Sequence, residues 1–297
     1  MEKSIGALLE DKLRNTTVEP GLHIVSTPIG NLNDITLRAI AVLRSSDAIA
    51  CEDTRVTGRI KSEFNLTAPL IAYHEHNAHK VTSKIIKLLK SGKIVALVSD
   101  AGTPLISDPG YKLVNSAIEN NFLVIPVPGA SALLAALSTS GLPTDRFLFE
   151  GFLPKKTLGR RKALEHVAKA GSTLVFFESP NRLIKSLSDM IDILGNRDAT
   201  ISRELTKKHE EILRGNLKSL VKKIEDDRLP RGEVTLVIGP EKNNKSLPQD
   251  QIDQMLIESL SKHSVKNAVT AVALETSLPR RALYQRAILL KSERNQS

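Results

Sequence analysis

Two apolar runs that stop abruptly at small residues limit the folds open to this chain. Lys93-Ile94-Val95-Ala96-Leu97-Val98-Ser99 ends at Asp100-Ala101-Gly102-Thr103-Pro104, with Ser107-Asp108-Pro109-Gly110 just beyond. Phe122-Leu123-Val124-Ile125 ends at Pro126-Val127-Pro128-Gly129-Ala130-Ser131. Short β-branched runs bounded by Gly and Pro read as buried strands, and a helical pattern follows each. In an open α/β sheet, ligands bind beyond the carboxyl ends of the strands. Small residues there let a ligand approach the backbone. The two loops are therefore expected to floor a binding cleft. Neither is a phosphate loop, since G-x-x-x-x-G-K-[ST] and G-x-G-x-x-G are both absent.

The rest of the chain repeats the alternation. Gly21 to Ser26 reads as a first strand ending at Thr27-Pro28-Ile29-Gly30-Asn31, with Asp34 as N-cap of the helix that follows. Asp47 to Cys51 and Pro69 to Tyr73 are further strands, and Val81 to Leu89 is a helix. The helix Ala132 to Thr139 is built of small residues and fits either a core or an interface between two copies. Beyond it, Phe147–Phe152, Ser172–Phe177, Asp198–Ser202 and Glu233–Ile238 are strand-like. The expected fold is α/β in two lobes with a cleft between them. The divisions are a peripheral extension at 1–20, lobes at 21–124 and 125–241, a polar linker from Glu241 to Ser246, and a helical tail at 246–297.

The tail holds three helical patterns, Gln249 to Lys262, Val265 to Leu274 and Pro279 to Leu290, the last two in helix-turn-helix order. Its last helix carries Arg280, Arg281, Arg286 and Lys291. Across all 297 residues the net charge is +9. That excess points to a polyanion, and for a soluble protein to nucleic acid first. Aromatic residues are only 3% and tryptophan is absent, so a base-stacking platform is not expected. RNA would be held through its phosphates, by the tail or by Lys155, Lys156, Arg160, Arg161 and Lys162. One cysteine, no apolar run of about 20 residues and no basic-then-apolar leader fit a reducing cytoplasm and no membrane.

Thr27-Pro28-Ile29-Gly30-Asn31-Leu32-Asn33-Asp34 resembles the opening loop of the tetrapyrrole methylase superfamily. The Asp100 and Val127-Pro128-Gly129 loops fall where its second and third loops belong. Within that superfamily, four segments are similar to the ribosomal RNA branch. They are Cys51-Glu52-Asp53-Thr54-Arg55, Ser99 to Pro104, Phe177-Glu178-Ser179-Pro180-Asn181-Arg182-Leu183 and Arg203-Glu204-Leu205-Thr206-Lys207. The second loop reads Ala-Gly-Thr-Pro where the tetrapyrrole branch has Gly-Asp-Pro, which argues against a porphyrinoid substrate.

The resemblance implies S-adenosylmethionine (SAM) as methyl donor and 2′-O-methylation of a cytidine in the decoding centre of 16S rRNA, in the 30S subunit. It implies a homodimer and calls for no metal. It also places Pro28, then Asp100, Ala101, Gly102, Thr103 and Leu105, then Ser131, Phe177 and Glu233 near the cofactor. Two other readings remain, a SAM-dependent methylase of a small tetrapyrrole or corrin precursor and a non-catalytic RNA-binding assembly protein. The basic charge argues against the first, and three small-residue loops at strand ends argue against the second.

Methyl transfer to a hydroxyl requires alignment, worth up to about 7–11 kcal/mol, and a group to take the proton. Candidate carboxylates are Glu52, Asp53, Asp100, Glu178 and Glu204. Asp53 and Glu204 are favoured, because Arg55 and Arg203 beside them can hold the charge or bind an RNA phosphate. The other reading of these pairs is structural ion pairing at strand ends. His74, His76 and His79 lack the companion ligands of a metal site.

Overall fold

The computed structural model describes residues 4–226, 232–241, 249–276 and 278–294. The chain forms two compact units, Met1–Glu241 and Lys242–Ser297. The first contains two five-stranded sheets.

The first sheet holds β1 (Gly21–Val25), β2 (Ala48–Cys51), β3 (Leu70–Ala72), β4 (Ile94–Val98) and β5 (Val124–Val127). All pair in parallel, in the order β3-β2-β4-β1-β5. A parallel sheet is covered on both faces, so its strands are apolar throughout. Every residue of β2 is buried, as is nearly all of β1 and β4. The covering helices are α2 (Leu37–Ser45), α3 (Thr54–Glu63), α4 (Ala78–Lys90) and α5 (Tyr111–Glu119). Their apolar faces close one core on each side of the sheet.

Within the N-terminal extension, residues 5–14 form a helix, α1 (Ile5–Arg14). Two local expectations change. Asp34 lies in a short 3-10 turn, and Thr36 caps α2 by accepting the Ala39 N–H at 3.1 Å. The first sheet also runs through Val127, past the expected division at 124, because β5 pairs with β1 in register Leu22↔Val124 to Val25↔Val127.

After α6 (Ala132–Thr139) the second sheet comprises β6 (Phe147–Phe152), β7 (Thr173–Glu178), β8 (Asp198–Arg203), β9 (Glu211–Asn216) and β10 (Val234–Ile238). Its order is β6-β7-β10-β8-β9, with only β6 and β7 parallel. The strand β9 lies outside the sequence expectation. The helices α7 (Thr157–Val167), α8 (Leu183–Leu194) and α9 (Leu217–Asp226) pack on one face. Helix α6 covers the other, where Ala136 and Leu137 meet Val175 and Val237. Core packing is thus the role of its inner face, while Leu134 is exposed.

The second unit is a bundle of α10 (Gln249–Leu260), α11 (Val265–Thr276) and α12 (Arg280–Arg294), closed over Leu256, Val269, Val272 and Ala287. Arg286 ties α12 to α10 through both carboxylate oxygens of Asp253, so it is not part of a free basic face. Arg280 and Arg281 are exposed. Residues 246–248 of the expected tail and most of the expected linker lie outside the described residues.

Candidate active site

Strand order explains why distant loops meet. In a parallel sheet every strand points the same way, so β2, β4, β1 and β5, adjacent in that order, deliver their following loops in one row. Thr27 and Gly102 pair as an isolated bridge, N–H to C=O both ways at 2.9 and 3.0 Å. The Ser26 and Thr103 hydroxyls are hydrogen-bonded at 2.9 Å, and Thr103 Oγ1 donates to the Ala130 carbonyl at 3.4 Å. The Asp53 N–H donates to Asp100 Oδ1 at 3.0 Å. Four loops are thereby laced into one floor. Gly102 has φ +74°, a conformation that glycine adopts at no steric cost.

The second sheet supplies the opposite wall. Val234 pairs with both Glu178 and Arg203, so the end of β7, the end of β8 and the start of β10 share one edge. Between wall and floor lies a cavity of about 290 Å3. Its apolar lining is Ile29, Ala101, Ala132, Phe152, Phe177 and Val234, with Gly102, Thr103, Ser131 and Thr235 among the small and polar residues. Phe177 is braced edge-on by Phe149, with ring centres 4.9 Å apart, and lies beside Phe152 at 5.5 Å. Three carboxylates line the cavity, Asp108, Glu178 and Glu233. Among the described residues no lysine or arginine lines it.

The cavity brings together Ala101, Gly102, Thr103, Ser131, Phe177 and Glu233 from the sequence-expected cofactor set. Pro28, Asp100 and Leu105 are not in its lining. Pro28, within the first loop, is buried. Asp100 is turned to the Asp53 N–H. Leu105, at φ +73°, packs into the core of the first lobe beside Gly110.

Of the two favoured proton acceptors, Asp53 has its expected arginine partner and Glu204 does not. Asp53 caps α3, accepting the Arg55 N–H at 2.8 Å. The Arg55 guanidinium also grips its carboxylate, with Nη2 donating to Oδ2 at 2.6 Å. That side-chain pair, aided by the backbone bond, lowers the Asp53 pKa to about 2. A carboxylate held so firmly ionised is a poor proton acceptor. Glu204 is not paired with Arg203. Its Oε1 accepts from Lys207 Nζ and from the Glu233 N–H, both at 2.9 Å. Arg203 instead crosses to its strand partner Glu211 at 3.1 Å. Glu204 and Thr206 have φ +50° and +66°, which turns the loop after β8 back toward the first lobe. There Thr206 Oγ1 accepts the Asn31 N–H at 3.2 Å, and Lys207 passes over Gly30. These residues fasten the lobes together at the rim of the cavity.

Glu178 is buried and fully engaged, by the Ser186 hydroxyl, the Ser179 N–H at 2.8 Å and the Arg182 guanidinium at 3.4 Å. The acids near Asp100 are different. Burial raises the pKa of Glu52, Asp100 and Asp108; the Asp100 charge adds to it for Glu52 and Asp108, and the Asp53 charge adds to it for Asp100.

The basic cluster divides. Lys155 and Lys156, which follow β6 in the chain, are exposed. Arg160 is only 4% exposed and donates to Asp189 at 2.6 Å, and Arg161 is shared between Asp189 and Asp192 at 2.7 and 3.0 Å. Both arginines dock α7 onto α8, Arg160 buried and Arg161 with its side chain 37% exposed. His74, His76 and His79 form no metal-binding group among the described residues.

This floor, wall and cavity define the class. Residues 21–221 match the family described as Tetrapyrrole (Corrin/Porphyrin) Methylases, and residues 246–291 match the RsmI C-terminal HTH domain. Solved structures agree on the fold. Cobalt precorrin-4 methyltransferase CbiF covers 73% of this chain and 94% of its own at TM-score 0.57 and 18% identity. Diphthine synthase covers 73% and 89% at TM-score 0.58 and 14% identity. Sequence relatives are much nearer. Proteins named "Ribosomal RNA small subunit methyltransferase I" are 46% identical in Mesorhizobium japonicum, over 92% of this chain and 93% of theirs, and 43% identical in Escherichia coli O157:H7, over 90% and 94%. The chain belongs to the ribosomal RNA small subunit methyltransferase I family.

Proposed function

We propose that this protein transfers the methyl group of SAM to the 2′-hydroxyl of a cytidine in 16S rRNA, within the 30S particle. The observation that carries the reading is the cavity lining, which has carboxylates, an aromatic ring and backbone groups but no lysine or arginine among the described residues. SAM is a cation at its sulfur, carries an ammonium and has no phosphate. A site of that composition fits it, whereas a nucleotide phosphate would require cations or a glycine loop. The cavity volume is at the lower end of small-molecule sites, about 300–1,000 Å3.

Ala101, Gly102, Thr103 and Ser131 would hold the cofactor through the floor, and Phe177 with Glu233 would hold it from the wall. Bound there, SAM supplies an electrophilic methyl group. The protein's own part is to fix the donor, exclude water beneath the laced loops, and admit the ribose at the open side. Lys155 and Lys156, with Arg280 and Arg281 of the tail, offer cations for RNA phosphates. The reading further takes the protein as a cytoplasmic homodimer. Exposed Leu134, Phe147 and Leu148 are apolar surface for a second copy to cover. Among the described residues, no helix is long and apolar enough to cross a membrane.

The test is transfer of labelled methyl from SAM to 30S subunits lacking the natural modification, followed by nucleoside digestion. The expected product is 2′-O-methylcytidine. Binding of SAM without transfer to the particle would move the acceptor to a small molecule. Sedimentation of the purified protein checks the dimer.

A further inference from the structure

We propose that Asp108 is the catalytic residue that takes the proton from the attacking hydroxyl. The inference rests on the methyl-transfer reading and names a residue which that reading leaves open.

The cavity offers three carboxylates, and two are committed elsewhere. Glu178 has both oxygens engaged, by Ser186, Ser179 and Arg182. Glu233 is bound by Lys207 Nζ at 3.0 Å. Asp108 also lines the cavity, but no cation pairs with it among the described residues. Its polar neighbour is the Ser99 hydroxyl, which donates to the Ala101 carbonyl at 3.1 Å. The loop that carries it is firmly shaped. Leu105 and Ser107 both have positive φ, +73° and +69°, a cost that persists only where surrounding packing enforces it. Leu105 is anchored in the lobe core, and Ser107 packs against Gly151 of β6. Asp108 follows directly and lines the cavity.

The electrostatics suit the role. Asp108 is faced by Asp100 from the loop after β4, by Glu52 from the loop after β2, and by Glu178 and Glu233 across the cavity. Arg55, which acts on Asp100, is taken by Asp53. Burial, with the Asp100 charge adding to it, raises the Asp108 pKa, which makes its carboxylate a better base. In the step, the ribose oxygen forms a bond to the methyl carbon as the carbon–sulfur bond breaks. The bonding pair remains on sulfur, which becomes a neutral thioether. The hydroxyl proton passes to Asp108 and then to solvent.

Asp108→Asn and wild type are compared in three readouts. These are SAM affinity by calorimetry, the thermal midpoint, and single-turnover methyl transfer to unmodified 30S subunits from about pH 5 to about pH 9. Asn is expected to retain SAM affinity within about threefold and to lose transfer by about 100-fold or more. The fall in rate toward acid pH that wild type shows is expected to vanish with it. A raised carboxylate favours the fold at low pH and opposes it once ionised, so the Asn midpoint at neutral pH should not lie below wild type. Asp108→Glu should recover part of the rate. Transfer by Asn within about fivefold of wild type overturns the proposal. So does an acid limb that persists in Asn, or a loss of SAM affinity that accounts for the loss of rate. Should Asn not fold, a flat wild-type profile below neutral pH overturns it alone. A wild-type protein that binds SAM and transfers nothing to the particle overturns the acceptor assignment together with this role.

Discussion

Replacing Arg160 with alanine separates the two halves of a cluster that looks uniform in sequence. Arg160 is almost wholly buried, and its Nε lies 2.6 Å from Asp189 Oδ2. Its Nη atoms also donate to the Lys155 carbonyl and Thr157 Oγ1, each at 3.4 Å. Removing one partner of a buried pair costs about 3–5 kcal/mol, because the other charge stays desolvated. Asp189 would retain Arg161 at 2.7 Å, which holds the loss to the lower end, about 3 kcal/mol. With a urea slope of about 3 kcal/mol/M for a unit of this size, the unfolding midpoint should fall by about 1 M at unchanged slope. Lys155→Ala and Lys156→Ala, both exposed, should leave stability within about 0.5 kcal/mol. Each should instead weaken 30S binding and reduce the salt dependence of that binding by about one phosphate contact. An Arg160→Ala protein with wild-type urea stability and a reduced salt slope would refute the division and return Arg160 to the RNA face.

Further substitutions probe the other contacts. Gly232 has φ +98°, and a Cβ there would lie 2.3 Å from Glu204 Oε1, so Gly232→Ala should displace Glu204 and Glu233 and raise the SAM dissociation constant about tenfold, measured by calorimetry. Phe177→Leu keeps an apolar wall but removes the ring face, and should weaken SAM binding by about 0.5–2 kcal/mol with little change in the thermal midpoint. Asp53 titrates near 2 against about 3.9 unfolded. Its contribution to stability is therefore complete above the unfolded value and lost only as pH falls through about 2, so Asp53→Asn should leave the pH profile between about 5 and 9 unchanged in shape. A midpoint near 4 for Asp53 by carboxyl NMR would contradict the Arg55 pairing. In the tail, Arg286→Ala should lower bundle stability by about 1–3 kcal/mol, whereas Arg280→Ala with Arg281→Ala should lower RNA affinity and leave helicity intact, both read by circular dichroism and filter binding.

The legible parts of the fold are those where one physical demand dominates the residue choice. A strand buried on both faces must be apolar along its whole length, so β1, β2, β4 and β10 read directly. Strand β9 is an edge strand of mixed exposure, and Glu-Ile-Leu-Arg-Gly-Asn carries no such demand. The cavity floor is legible for the same kind of reason, since close approach of three loops requires small residues in each. Side-chain partners are not. Lys155 and Arg160 are near neighbours in sequence, but the helical turn sends one to solvent and the other under α8. Arg203 adjoins Glu204, but alternation along β8 and the left-handed turn at Glu204 send them to Glu211 and Lys207 respectively.

The same distinction bears on Asp53 and Glu204, the carboxylates that the sequence favours as proton acceptors. An arginine beside a carboxylate marks a group held ionised, and the sequence search takes that as a sign of chemistry. The stabilisation that fixes the charge also lowers the affinity for a proton, which is the property a base must have. Asp53 and Glu204 are therefore suited to holding loops, which is where the structure uses them. Asp108 has a Ser-Asp-Pro-Gly turn around it and no neighbouring cation in sequence, so only its position in the second loop distinguishes it. The same reasoning extends to Glu52, which is also raised by burial but is not among the cavity-lining residues. Asp108 combines a raised proton affinity with a place in the cavity lining that Glu52 lacks, so geometry decides between two carboxylates that electrostatics treats alike.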